Sequence, residues 1–99
     1  MNIIKRTGQI VSFDKQKIHN AIRKAFQNSH ESQNIENDCE KVTNDVTFYI
    51  ENDLSVEKIQ DLVEKCLMED KFYLTAKRYI LFREERNKER NNQNKQRKV

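Results

Sequence analysis

Proline and tryptophan are missing from this chain, and glycine occurs once, at Gly8. A sequence this poor in turn-formers cannot supply the many tight turns of an all-β sandwich or barrel. No apolar run approaches the ~20 residues of a membrane-spanning helix. The opening Met1-Asn2-Ile3-Ile4-Lys5-Arg6-Thr7-Gly8 carries no apolar signal-peptide core. Cysteine is scarce too: Cys39 and Cys66 are far apart and form no Cys-x-x-Cys. Both fall on apolar helix faces, so they are expected to be reduced core thiols of a cytoplasmic protein rather than a disulfide or metal pair.

What is present is mostly helix-forming. The 99 residues suit one domain with one modest core. The net charge of +3 is unevenly distributed. From Arg83 onward there are seven Lys/Arg and three Glu, a balance of +4; the preceding 82 residues hold twelve bases and thirteen acids, a balance of −1. Basicity is therefore a property of the C-terminal segment, not of the body.

Residues 2–13 read as a hairpin. Ile3-Ile4-Lys5 and Gln9-Ile10-Val11-Ser12-Phe13 are β-formers, with Thr7-Gly8 at the turn between them. Asp14 caps a first helix with Ile18, Ala21, Ile22, Ala25 and Phe26 on one face, and the polar Gln27–Asn34 forms a loop after it. A second helix is expected over about 35–51, on the stripe Ile35, Cys39, Val42, Val46 and Tyr49. Leu54 is a candidate for a short third strand. Ser55 caps a third helix, whose buried face is Val56, Ile59, Leu62, Val63, Cys66 and Leu67. Past Glu69-Asp70-Lys71, a fourth helix carries Phe72, Ala76, Tyr79, Ile80 and Arg83. Residues 91–99 have nothing to bury and read as a disordered basic tail beyond a domain of residues 1–90. Helices of ~15 residues do not stand alone in water. The expected fold class is therefore α+β, a four-helix bundle capped by the N-terminal hairpin.

The chemically informative cluster is Lys5, Arg6, Gly8, Asp14, Lys15 and Lys17. Lysines at the positive end of a helix are mildly unfavourable, and no acid follows Asp14 in the first two turns. An anion there would reverse the sign, because helix N–H groups and lysines both favour phosphate. Lys5 and Arg6 would close over it from the hairpin, and Ile3, Phe13 and Ile18 would offer apolar contacts to a planar base. By themselves these residues fit a solvated hairpin turn better than a phosphate site. Catalysis has less support. Ser29-His30-Glu31 is contiguous, which is not triad geometry. His19 lies beside an apolar face and reads as structural, and there is no Walker-type glycine loop.

The run Ile4-Lys5-Arg6-Thr7-Gly8-Gln9-Ile10-Val11-Ser12-Phe13-Asp14-Lys15-Gln16-Lys17-Ile18 resembles the opening motif of the ATP-cone family. Leu54-Ser55-Val56-Glu57-Lys58-Ile59-Gln60-Asp61-Leu62-Val63-Glu64 is similar to its third-helix segment. Tyr79-Ile80-Leu81-Phe82-Arg83-Glu84-Glu85-Arg86 is similar to its closing helix. Together the three segments cover about residues 3–87. The resemblance implies a four-helix bundle capped by a small mixed three-stranded sheet. It also implies a non-catalytic module that binds ATP or dATP, accompanied by Mg²⁺, and shifts the quaternary structure of its host. Such modules stand at the N-terminus of ribonucleotide reductases and in a zinc-dependent repressor of reductase genes. In the reductases ATP permits activity and dATP switches it off. The implied partners are a reductase catalytic domain or subunit, or another cone.

Position by position, the resemblance assigns Lys5, Arg6, Lys17 and Arg86 to the phosphates. It assigns Asp14 to a nucleotide contact, and Ile3, Phe13 and Ile18 to the adenine pocket. Gln60 falls where some members place a ligand-contacting His, and Ile4 and Gly8 of the hairpin motif are also expected among the nucleotide-binding residues. Two departures stand out: Val11 replaces an acid near the ribose, and Val56 replaces a Thr. The alternative reading is a nucleic-acid-binding or transcription-regulating module using Lys88, Arg90, Lys95, Arg97 and Lys98. A helical interaction domain whose nucleotide site has decayed is a third.

Overall fold

The hairpin forms around the single glycine. Lys5 N–H donates to the Gln9 carbonyl (2.8 Å) and Gly8 N–H to the Lys5 carbonyl (2.9 Å), while Gly8 holds φ +86°. A Cβ at Gly8 would meet nothing within 4 Å. Glycine is needed there for its left-handed backbone, not for space. The computed structural model describes the backbone of residues 1–97 and the side chains of residues 1–89. Strands β1 (Asn2–Ile4) and β2 (Ile10–Ser12) pair antiparallel, Ile3 opposite Val11. Strand β3 (Leu54–Ser55) joins the other edge of β1 in parallel, Ile4 opposite Ser55, which gives the order β2-β1-β3. This is the small mixed sheet that the family resemblance implied.

Four helices follow the expected faces: α1 Lys15–Ser29, α2 Ile35–Tyr49, α3 Val56–Glu69 and α4 Tyr73–Arg97. Each of the first three is capped by a side-chain oxygen: Asp14 to Gln16 N–H, Asn34 to Asn37 N–H, Ser55 to Lys58 N–H. Helix α1 packs on α2 and α4, and α3 packs on the same two, closing a four-membered bundle. Its centre holds Ile22 and Phe26 of α1, Val42 and Val46 of α2, Val63 and Leu67 of α3, and Ala76 and Tyr79 of α4. Phe26 meets Phe72 edge-to-face at 5.0 Å. Cys39 and Cys66 are both buried and free, as the sequence led us to expect. Burial raises both thiol pKa values, that of Cys66 to about 11 with the help of the carboxylates of Asp45, Glu69 and Asp70. Neither is a thiolate near neutral pH.

Several boundaries differ from the sequence reading. Helix α1 runs on through Gln27-Asn28-Ser29, because His30 supplies a left-handed cap (φ 56°) whose N–H returns to the Phe26 carbonyl. Helix α2 stops at Tyr49; Ile50 turns extended and buries its side chain. The helical backbone of α4 continues past residue 90 to Arg97, in a run without Gly or Pro to stop it. The rest of the tail, Lys98 and Val99, lies outside the described residues.

Ser29 and Glu31 have a structural task. Glu31 accepts from the N–H groups of Leu74 and Thr75 and from the Thr75 hydroxyl, and Ser29 Oγ lies 2.7 Å from that hydroxyl. The loop after α1 thereby caps the start of α4, where a carboxylate also suits the helix dipole.

Candidate functional site

The sheet does not lie flat on the bundle. Between it and helices α1, α3 and α4 opens a cleft of about 920 Å³, within the usual ~300–1,000 Å³ of small-molecule sites. Strand pairing puts Ile3 and its cross-strand partner Val11 on the cleft side. Ile3 and Lys5 from the first arm, and Val11 and Phe13 from the second, all line the cleft. Ile4, paired with Ile10 in β1, falls between two cleft-facing residues and does not line it. Gly8 does not line it either; it shapes the turn that presents Lys5 and Arg6.

Helix α1 contributes Asp14, Lys17, Ile18 and Ala21, one face at spacings of three and four. Helix α3 contributes Val56, Ile59 and Gln60 by the same rule, and α4 contributes Tyr79, Arg86 and Asn87. Nine of the expected site residues therefore meet around one opening: Ile3, Lys5, Arg6, Phe13, Asp14, Lys17, Ile18, Gln60 and Arg86. The two departures from the family pattern, Val11 and Val56, are in the wall as well.

Lys15 does not belong to this group. Its Nζ donates to Asn44 Oδ1 on α2 at 2.8 Å, turned away from the cleft. The start of α1 is partly capped from within. Asp14 caps α1 with its own carboxylate (3.0 Å to Gln16 N–H), and Lys17 N–H is taken by the Asp14 carbonyl at 3.2 Å. Two of the first-turn N–H groups are thus already taken, which leaves more of the attraction for phosphate to side chains.

The wall divides by chemistry. Ile3, Val11, Phe13, Ile18, Ala21, Val56, Ile59 and Tyr79 form an apolar lining, and Lys5, Arg6, Lys17 and Arg86 supply four cations against the one carboxylate of Asp14. Among the described residues Lys5, Lys17 and Arg86 make no ion pair, whereas Arg6 Nη1 lies 3.1 Å from Glu57 Oε1. Burial pushes the Tyr79 phenol up to about 12 despite the pull of Arg83 and Arg86, so it stays neutral. A cleft lined by both apolar side chains and cations suits an anion joined to a flat, weakly polar group.

Arg83 organises the floor without entering the cleft. Nη1 reaches Asp61 Oδ1 (2.8 Å) and Glu64 Oε2 (2.7 Å), and Nη2 donates to the Glu57 carbonyl (3.3 Å), fastening α4 to α3. Burial raises the Glu64 pKa against that pull. His19 is structural: half-buried, with Arg23 Nη2 3.1 Å from its Nε2 and its carbonyl accepting from the Cys39 thiol.

Thr7, Ser12, Ala21, Ile59, Tyr79 and Asn87 were not singled out as site residues from the sequence, yet all line the cleft. For Asn87 a signal existed: the stripe Phe72, Ala76, Tyr79, Arg83 extends by the same steps to Arg86 and Asn87. Ala21 likewise continues the face Asp14, Lys17, Ile18.

The chain is similar to known proteins over most of its length. The family model of the ATP cone domain matches residues 1–88. The ribonucleoside-diphosphate reductase subunit alpha of Chlamydia trachomatis is 32% identical over 104 residues, covering 93% of this chain and 10% of that protein. Its counterpart from Chlamydia pneumoniae is 36% identical over 100 residues, covering 91% and 10%. The vitamin B12-dependent ribonucleoside-diphosphate reductase of Thermoplasma acidophilum is 38% identical over 91 residues, covering 85% and 12%. The chain thus spans about a tenth of the length of the curated relatives it matches.

Proposed function

The chain belongs to the ATP cone domain family, and from that premise we propose that it is an allosteric sensor of ATP or dATP. In this reading a reductase, joined to the domain or bound by it, changes activity or oligomeric state with occupancy of the cleft. The observation that carries the reading is the cleft itself, whose lining combines apolar side chains with Lys5, Arg6, Lys17 and Arg86.

The base lies against Ile3, Phe13 and Ile18, and the triphosphate lies among the four cations. Asp14 is placed to meet a sugar hydroxyl, since a carboxylate accepts from hydroxyls and repels phosphate. Val11 offers no such acceptor. Mg²⁺ travels with the nucleotide, held through the phosphate oxygens. The domain binds and does not react, so its output is linkage: a nucleotide shifts an equilibrium only by preferring one arrangement over another. The hairpin, α1, α3 and α4 all touch the cleft, and an occupant would tie them into one body. The functional unit is residues 1–90, with residues 91–99 as a basic extension.

Melting the purified chain with and without nucleotide tests this. At 100 times its dissociation constant, ATP or dATP should add about 2.7 kcal/mol, and GTP at the same concentration should add less. No shift with either adenine nucleotide would refute the reading.

A further inference from the structure

Of the four cations at the cleft, Arg6 alone has an ion-pair partner among the described residues, Glu57 in the first turn of α3. The pairing follows from the sheet. Ile4 lies opposite Ser55 in the parallel β1–β3 pair, and Arg6 and Glu57 each stand two residues further on. Strand register therefore delivers both to the same edge of the cleft. We propose that Glu57 is an internal competitor for Arg6: it sets how tightly the site holds a phosphate tail, and it is displaced from Arg6 when the nucleotide binds.

This inference rests on the nucleotide reading above and assigns a role to a residue that does not line the cleft. An arriving phosphate meets a guanidinium already 3.1 Å from a carboxylate. Either Arg6 leaves Glu57 or it bridges two anions that repel each other. In both cases Glu57 subtracts from nucleotide affinity. The exchange is feasible because Glu57 is exposed and water can solvate it once released.

The backbone on the α3 side of the pair is anchored. The Glu57 carbonyl is held by Arg83, which is itself anchored on Asp61 and Glu64, and Ser55 caps the same helix end. The backbone of the first turn of α3 is therefore fixed, and the Arg6–Glu57 contact opens by movement of the two side chains or of the hairpin turn. Binding converts a contact between hairpin and α3 into one between hairpin and ligand, which gives occupancy a mechanical consequence.

The test is titration calorimetry of ATP and dATP into wild type, E57Q, R6A and R6A/E57Q, each with and without Mg²⁺, after melting shows every variant folded. An exposed ion pair is worth about 0.2–1 kcal/mol, so E57Q should tighten binding about 1.5- to 5-fold, and the gain should vanish in the R6A background. Unchanged or weaker binding by E57Q, while wild type binds normally, would overturn this inference alone. A gain that persists undiminished with R6A would overturn it too, since plain repulsion would then account for the effect. Weakening confined to the Mg²⁺ titrations would overturn it by making Glu57 a metal contact. Absence of binding to wild type would overturn the nucleotide reading and this inference with it. A crystal structure of wild type with dATP gives the second readout. Arg6 on a phosphate oxygen and away from Glu57 supports the exchange; Arg6 still closed on Glu57 without phosphate contact refutes it.

Discussion

Lys15 and Lys17 offer a matched pair for testing the site. They share a helix turn, a charge and an exposed environment, and they differ in direction. Two residues on a helix are about 200° apart around the axis. Lys17 consequently lines the cleft while Lys15 reaches Asn44 on α2. Two unit charges 4 Å apart interact by about 1 kcal/mol in water and about 4 kcal/mol at an effective dielectric of 20. For an exposed lysine at the mouth of a cleft, removal of its phosphate contact should cost about 1–2 kcal/mol, which is about 5- to 30-fold in Kd. Lys15 acts only through its distant field, screened over about 8 Å at physiological salt. Calorimetric titration of ATP into K17A and K15A at about 0.15 M salt should therefore show the larger loss for K17A and less than about a twofold change for K15A. Equal losses would mean that a diffuse positive field, not a built site, attracts the nucleotide. A K17A protein that binds ATP like wild type would remove Lys17 from the site altogether.

Three further outcomes follow from the fold. Gly8→Ala should cost about 1–2 kcal/mol from backbone strain alone, with Gly8→Asn costing less, read as a drop in Tm; an unchanged Tm would contradict the left-handed turn. Glu31→Ala removes the acceptor for two backbone N–H groups and the Thr75 hydroxyl and should cost about 1–2 kcal/mol in a denaturant melt; no change would refute the cap on α4. Burial and the neighbouring Asp70 raise the Asp45 pKa above its ordinary 3.8. A folded-state pKa above the unfolded one means the native state binds the extra proton, so stability falls as pH rises through that window. Asp45→Asn should therefore raise Tm at pH 7 by about 2–4 °C and lose that advantage below about pH 4, whereas an advantage that persists in acid would refute the electrostatic cause.

The helices were legible because apolar stripes at spacings of three and four specify both the element and its inward face, as Ile18, Ala21, Ile22, Ala25 and Phe26 do. The hairpin was legible because one glycine stands where a positive φ is required. The site was legible as a cluster of cations near a turn, but direction was not. Lys15 and Lys17 look equivalent in sequence, and Ile4 looks like Ile3, until the pleat and the helix pitch place them on different sides. At the start of α1 the cap was legible in Asp14, but that it takes the Gln16 N–H while the Asp14 carbonyl takes the Lys17 N–H shows only in the structure. Tyr79 was read as core, which it is; that the core wall is also the cleft wall depends on how the sheet sits over α3 and α4, a long-range fact with no local signature. The Arg6–Glu57 contact depends on the register between β1 and a two-residue strand fifty residues later, which no local pattern announces.

The central claim is that adenine nucleotide sits between the hairpin and helices α1, α3 and α4. Backbone amide chemical shifts of the ¹⁵N-labelled chain, followed as dATP is added, test it most directly. The account predicts that the largest movements fall on residues 5–7, on 14–18, and at Gln60 and Asn87. Movements gathered instead at the opposite face, around Asp45, Phe48 and Asp70, would contradict it.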